Sequence, residues 1–284
     1  MKIGFVGLGV MGFPMAGHLA KAGHTLSVFN RSPEKAIRFV ETHGGVAARS
    51  PAEAAHEAEA LVLCVGNDDD VRSVVRAALD DLAPGAVIVD HTTTSAHVAR
   101  EMDAHAQASG RAFVDAPVSG GQAGAEGGTL TVMAGGDPAA FARMEPVLAA
   151  YAKAARLLGP SGSGQLTKMV NQICIAGVVQ GLAEAMSFAQ HAGLDLDGVH
   201  QAISKGAAQS WQLDNRWGTM AAGKFDFGFA VDWMRKDLGL VLEEARANGS
   251  SLAMTAMVDQ FYAEVQAMGG RRWDTSSLVA RLKR

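Results

Sequence analysis

The sequence predicts an α/β fold: a doubly wound parallel sheet at the N-terminal side, then a long helix, then an all-helical C-terminal domain. Three observations carry this reading. Short apolar strands alternate with helical patterns through the first half, as βαβ units require. A glycine-rich turn joins the first strand to the first helix. Strand signals stop after about residue 160. At 284 residues the chain exceeds the usual single domain, so two are expected, at 1–162 and 163–284.

The strands are read at "KIGFVG" (2–7), "TLSVFN" (25–30), "ALVLCVG" (60–66), "AVIVDHT" (86–92), "AFVDAP" (112–117) and "TLTVMAGG" (129–136). Their apolar runs are nearly continuous rather than alternating, which suits strands covered on both faces. Helical segments fall between them at 11–22, 33–43, 68–81 and 95–108. "GPSGSGQ" (159–165) reads as a hinge, and a helix follows over about 164–191. Past Lys168 it carries no charge until Glu184, so burial on most sides is expected. Further helices are read at about 195–204, 229–248 and 251–268.

Composition excludes several classes. Nearly half the residues are apolar and about a fifth charged, as in ordinary globular proteins. A net charge of −4 with scattered Lys and Arg predicts neither a nucleic-acid nor a membrane partner. The one small basic cluster, Arg271, Arg272, Arg281, Lys283 and Arg284, reads as a solvated end. Cys64 and Cys174 sit in apolar runs and read as core residues in a reducing compartment. Gly7, Gly9 and Gly12 break the apolar start too often for a secretory signal. No stretch reads as long and apolar enough to span a bilayer. A cytoplasmic protein is expected, with no metal site.

"GLGVMG" places Gly7, Leu8, Gly9, Val10, Met11 and Gly12 in the G-x-G-x-x-G pattern, between a strand and a helix. That is the dinucleotide-binding arrangement of a Rossmann-type sheet. The first glycine makes the turn, the second lets a pyrophosphate approach the backbone, and the third allows close helix packing. At the end of the second strand, where an NAD site usually carries an acid, the chain reads Asn30, Arg31, Ser32. Arg31 offers charge-assisted hydrogen bonds to a 2′-phosphate and its neighbours add neutral donors, so NADP(H) is favoured over NAD(H).

A nicotinamide needs a substrate beside it, beyond the carboxyl ends of the strands. "VGND" (65–68) and "DHTTTS" (90–95) follow strands and supply Val65, Gly66 and Thr93 as cofactor contacts. In "DAPVSGGQAGAEGGTL" (115–130), Ser119, Gly120 and Gly121 read as a backbone nest for a carboxylate, or as a flexible hairpin turn. In "GQLTKMVNQ", Lys168, Asn171 and Gln172 share one helix face. Hydride reduction of a carbonyl leaves an anionic oxygen that needs a proton, which a partly buried ammonium can supply; burial would lower its pKa. A lysine snorkelling from a helix end is the plain alternative. Lys236–Asp237, in "WMRKDLGL", reads locally as a helix start with a solvated lysine.

These segments together resemble the β-hydroxyacid dehydrogenase family nearly end to end, a family that includes 3-hydroxyisobutyrate dehydrogenases and tartronate semialdehyde reductases. "DAPVSGG" and the glycine–lysine–amide segment carry the likeness. The resemblance implies that Lys168 is the catalytic lysine and that Ser119 and Gly120 clamp the substrate carboxylate. It implies that Lys236 closes over the cofactor, that Asp237 supports the catalytic site, and that Thr93, Val65 and Gly66 lie beside the nicotinamide. Members typically carry the catalytic asparagine four residues after the lysine; here that residue is Gln172, with Asn171 before it. "VGND" also lacks the proline common in that loop.

The reaction implied interconverts a short β-hydroxy acid and its semialdehyde, with 3-hydroxyisobutyrate first and tartronate or succinic semialdehyde as alternatives. Trp211, Phe225, Phe229 and Trp233 are candidates for setting chain length, or for core and dimer contacts. Imine reduction on a similar fold is disfavoured by Lys168, and a non-catalytic nucleotide-sensing or scaffold module would have no use for it. The helical domain looks too small to bury its own apolar surface, so a homodimer or homotetramer is expected.

Overall fold

The computed structural model describes residues 1–282. The chain divides into two compact units, Met1–Lys168 and the remainder from Met169.

The first unit begins with β1 (Lys2–Val6), α1 (Gly12–Lys21), β2 (Thr25–Phe29), α2 (Pro33–His43), β3 (Val46–Ala47), α3 (Pro51–Ala55) and β4 (Ala60–Leu63). It continues through α4 (Asp68–Ala78), β5 (Val87–Asp90), α5 (Ala96–Ala108), β6 (Ala112–Asp115), β7 (Val118–Ser119) and α6 (Gly121–Glu126). Next come β8 (Leu130–Gly136), α7 (Pro138–Leu148), β9 (Ala152–Leu157) and the start of α8 (Ser163–His191). The strands form one sheet in the order β3-β2-β1-β4-β5-β6-β8-β7, with β9 also paired to β8. β1 through β6 run parallel. β8 then runs antiparallel to both β6 and β7, so the sheet is dominated by parallel pairing without being wholly parallel.

The apolar runs explain the double layer. Successive side chains point to opposite faces, so Ala60 and Val62 join one core with Phe5, Met15 and Leu19. Leu61 and Leu63 join a second core with Val71, Val75 and Met102. Strand order reverses between β1 and β4, which opens a crevice at their carboxyl ends.

The second unit holds most of α8, then α9 (Leu196–Ile203), α10 (Trp211–Ala221), α11 (Val231–Asn248), α12 (Ala253–Ala267) and a 3₁₀ segment at Thr275–Leu282. Its core gathers Ala176, Val179, Ala183 and Met186 of α8 with Trp217, Met234, Leu238, Val258 and Tyr262.

Three expectations need correction, and one holds with an exception. Between Lys168 and Glu184 most of α8 is buried or half-buried, but Val170, Cys174 and Gly181 are exposed, and beyond that stretch Phe188 is exposed at 73%. Cys174 lies on the exposed side of α8 rather than in a core, while Cys64 is half-buried; neither forms a disulfide. By length and composition α8 is long and apolar enough to cross a membrane, contrary to the sequence reading, and nearly half of its most apolar stretch is buried inside the chain. In the basic cluster, Arg271 and Arg272 are exposed, but Arg281 lies 3.7 Å over the Phe261 ring with its side chain 9% exposed. Lys283 and Arg284 lie outside the described residues.

Candidate active site

The glycine turn sits at the carboxyl end of β1, at the switch point. Gly7 has φ +99°, and a Cβ there would overlap the carbonyl oxygen of Cys64 at the end of β4. A Cβ on Gly12 would overlap the carbonyl oxygen of Gly7, so that glycine lets α1 start tight against the turn. Gly9 differs: a Cβ there would meet nothing within 4 Å. No packing demand explains a glycine at that position, whereas a ligand drawn against the backbone does. The N-terminus of α1 has no side-chain cap and no acid in its first turn. By contrast α4 is capped by Asn67 and carries Asp68, Asp69 and Asp70. Unsatisfied N–H groups and the positive end of the helix dipole suit a diphosphate. These residues fit a dinucleotide.

Asn30 braces this turn. Its Oδ1 accepts the Leu8 N–H at 2.8 Å and its Nδ2 donates to the Ser32 carbonyl at 3.1 Å. Leu8 is buried and Val10 exposed at 62%, with Met11 between them and the helix start. Ser32 precedes α2 without capping it through its side chain. Arg31 reaches outward, 91% exposed, with Nη1 3.8 Å from Asp70 Oδ1. Asp70 Oδ2 accepts the Gly66 N–H at 3.2 Å. Asp70 therefore links the arginine to the loop after β4, a connection that nothing in the sequence pattern announced.

The loop after β5 carries the site's buried polar groups. Asp90 is fully buried; its Oδ1 accepts the Thr92 N–H at 2.9 Å, and burial pushes its carboxyl up to about 7. Thr92 Oγ1 accepts the Val65 N–H at 3.0 Å, joining this loop to the one after β4. Thr93 follows, half-buried. His91 Nδ1 lies 2.6 Å from the Ala116 carbonyl oxygen and must donate to it. Burial pulls this imidazole down to about 4, so it is neutral and its Nε2 accepts from the Tyr151 hydroxyl at 2.8 Å.

Asp115, at the end of β6, holds the start of α8. Its carboxylate accepts the Gly162 N–H at 2.7 Å and the Gln165 N–H at 2.9 Å. Burial raises this carboxyl to about 6, against the lowering pull of those donors. Lys168 follows one turn later, 8% exposed. Beyond Asp115 the chain runs to Ser119 and then Gly120 and Gly121, with φ of +131° and +60°. They form the entry to the short helix α6 rather than a hairpin turn. His18 of α1 fixes that helix by donating from Nε2 to the carbonyls of Ala125 and Glu126 at 3.1 and 3.0 Å.

The second unit contains its own polar cluster. Gln172 Nε2 donates to Asp237 Oδ2 at 2.7 Å, and Asn171 Nδ2 donates to Gln172 Oε1 at 2.8 Å. Lys236 Nζ lies 3.4 Å from Asp237 Oδ1 and 5.8 Å from the Trp233 ring centroid. Asp237 and Gln172 are buried. The four residues singled out on α8 and α11 of this unit are thus one connected chain. Of the aromatic candidates, Phe225 and Phe229 pack with the helical core, whereas Trp211 and Trp233 are exposed.

Asp90, Asp115 and Gln165 were not singled out from the sequence. Two of them share a signal that was available: an acid closing a wholly apolar strand, in "VIVD" and "AFVD". Such an acid is buried by its neighbours and must find donors.

Both units have relatives. Residues 2–170 match the family model described as the NAD binding domain of 6-phosphogluconate dehydrogenase. Residues 162–282 match the one described as NAD-binding of NADP-dependent 3-hydroxyisobutyrate dehydrogenase. The whole chain is 61% identical to an uncharacterized oxidoreductase of Shewanella frigidimarina, covering 98% of it. It is 34% identical to the 2-hydroxy-3-oxopropionate reductase of Escherichia coli, over 100% of this chain and 97% of that one. A solved 3-hydroxyisobutyrate dehydrogenase of Mycobacterium tuberculosis, with L-serine, superposes at a TM-score of 0.91 with 32% identity, covering 99% of each chain. Likeness at this length, shared by both units and centred on enzymes of small hydroxy acids, leaves one assignment: the chain belongs to the β-hydroxyacid dehydrogenase family and is an NAD(P)-dependent oxidoreductase.

Proposed function

We propose that the enzyme interconverts a short β-hydroxy acid and its semialdehyde, 3-hydroxyisobutyrate being the first candidate, with Lys168 as general acid and base. The observation that carries the reading is a lysine only 8% exposed. It stands on a helix tied by Asp115 to the strand end that leads into Ser119, Gly120 and Gly121. Lysine is rarely buried without a task or a partner. A bound nicotinamide supplies the hydride in one direction and accepts it in the other. As the carbonyl carbon gains the hydride, its oxygen turns anionic; Lys168 Nζ stabilises that charge and hands over a proton. In oxidation the neutral amine removes the hydroxyl proton. The Ser119 hydroxyl and the N–H groups of Gly120 and Gly121 hold the substrate carboxylate.

Within the second unit, Asn171 and Gln172 serve as the catalytic amides and Asp237 orients them, while Lys236 adds positive charge for the cofactor. Val65, Gly66 and Thr93 contact the nicotinamide end, and the Gly7–Gly12 turn the diphosphate. NADP(H) is proposed over NAD(H), because Arg31 stands where an acid would repel a 2′-phosphate. A second substrate reading, tartronate semialdehyde, is favoured by the full-length likeness to the Escherichia coli reductase.

The test is steady-state turnover of 3-hydroxyisobutyrate, D-glycerate, 4-hydroxybutyrate and L-serine with both cofactors, and of the matching semialdehydes. Lys168→Ala should lower kcat by roughly a hundred- to ten-thousand-fold while cofactor affinity holds. An equal loss of cofactor affinity would put the lysine in the wrong role. We also propose a cytoplasmic homodimer or homotetramer. The exposed apolar Val170 and Phe188 on α8 support the oligomer. Light scattering that finds only monomer at micromolar concentration would contradict it.

A further inference from the structure

We propose that Gln165 is a positioning residue, whose side-chain amide clips the loop after β5 to the first turns of α8 and so fixes Lys168 relative to Thr93. The proposal rests on the roles given above to those two residues. Gln165 Oε1 accepts the Thr94 N–H at 3.0 Å, and Nε2 donates to the Thr92 carbonyl at 2.8 Å. One amide therefore grips the backbone on both sides of Thr93. The Gln165 N–H donates to Asp115 Oδ2 at 2.9 Å, so the clip itself is anchored to the end of β6. Gln165 and Thr94 are fully buried and Thr92 is nearly so. Lys168 lies three residues further along the same helix, so a shift of the loop relative to α8 is a shift of Thr93 relative to the lysine.

Among side chains of this length, only the glutamine amide donates and accepts at one planar tip irrespective of pH. Methionine matches the length and volume of Gln165 but makes neither bond. Glutamate makes both when protonated, donating from its hydroxyl to the Thr92 carbonyl, and loses the donor when ionised. The ionisable groups around this position are Asp115 at the end of β6, Asp90 and His91 at the end of β5 and just beyond it, Asp68 at the start of α4, and Lys168 one turn along α8. All of them remain in both Gln165 variants.

The experiment measures kcat and cofactor KM of the full-length enzyme for Gln165→Met, Gln165→Glu and Lys168→Ala, with circular dichroism to confirm folding. Gln165→Met should lower kcat at least tenfold and raise the cofactor KM several-fold, since small misplacements of reacting groups are costly. A role in filling space alone predicts wild-type constants, and finding them overturns the proposal. The Gln165→Glu to Gln165→Met activity ratio should exceed one at pH 5 and fall at whatever pH the new carboxyl ionises; a ratio of one at pH 5 overturns the clip. If the methionine variant does not fold, the pH profile of Gln165→Glu relative to wild type decides alone. Turnover surviving Lys168→Ala would sink the lysine assignment, whereas the rise in cofactor KM belongs to the clip.

Discussion

Replacing Asp90 by asparagine should change how stability depends on pH. Asp90 is fully buried at the end of β5, and burial raises its pKa from 3.8 to about 7. Its register partner on β6 is Asp115, a second acid that keeps the ionised form unfavourable. A folded-state pKa above the unfolded one means that the native state binds the proton more tightly. The stability associated with that proton is present below pH 3.8 and is lost as pH rises through 7. The gap of about three pKa units corresponds to ~4 kcal/mol in full, of which ~3 kcal/mol falls between pH 5 and pH 9.

Asparagine keeps an oxygen for the Thr92 N–H but cannot ionise. Its amino group would occupy the place of Asp90 Oδ2, which has no hydrogen-bond partner. That adds a pH-independent cost of about 1–3 kcal/mol. Asp90→Asn should therefore be less stable than wild type at pH 5, with the difference closing by ~3 kcal/mol at pH 9. Urea unfolding followed by far-ultraviolet circular dichroism reads it. All four tryptophans lie after Met169, so their fluorescence reports the second unit and serves as an internal reference. Parallel pH profiles for variant and wild type would refute the reasoning, because they would mean that Asp90 does not titrate differently on folding.

The neighbouring His91 should show the opposite slope. Its folded pKa of about 4 lies below 6.5, so the unfolded chain takes the proton first and stability falls by about 3 kcal/mol as pH drops through that window; His91→Gln should flatten this acid limb in urea titrations. Gly9→Ala should leave the melting temperature within a degree or two yet weaken cofactor binding at least tenfold by fluorescence titration, because a methyl there meets no protein atom. Gly12→Ala should instead cost about 3 kcal/mol of stability, since its methyl would strike the Gly7 carbonyl. Arg31→Asp should shift the NADP(H) to NAD(H) ratio of kcat/KM toward NAD(H), and an unchanged ratio would remove the argument for the phosphate.

Pattern and burial divide what the sequence revealed from what it hid. Of the six strands read in advance, five are apolar runs buried along nearly their whole length, so composition alone marks them, whereas β2 leaves Thr25 exposed. β9, "AKAARL", was missed because it carries Lys153 and Arg156 and is largely exposed, pairing only with β8. β3 and β7 are two residues long, too short for any period. α7 was missed although Asp137 caps it, since Pro146 interrupts its helical pattern. α10 was missed although its buried Leu213, Trp217 and Met220 fall at helical spacing and Ser210 caps it. Gly7, Gly9 and Gly12 were legible because a turn, an approach and a packing contact each demand the absence of a side chain. The two buried acids were harder. An aspartate ending a strand looks solvated until tertiary neighbours close over it, and only the fold brings Gly162 and Gln165 to Asp115.

That difference bears on which residues govern the chemistry. Lys168 is recognisable because its charge is out of place in an apolar helix, yet on the proposal above it is aimed by a carboxylate more than fifty residues earlier and an amide one turn before it. Residues that touch substrate are set by reaction chemistry and recur as motifs. Residues that hold them are set by local geometry, and any group with the right donors in the right place will do. Asp115→Asn and Asp115→Ala separate the two ideas. If Asp115 acts only through the helix start, the asparagine, which keeps one acceptor, should lose less kcat than the alanine, with both retaining the wild-type substrate KM. If the alanine variant instead raised the substrate KM while leaving kcat intact, Asp115 would belong among the residues that bind, and the scaffold reading of this strand end would be wrong.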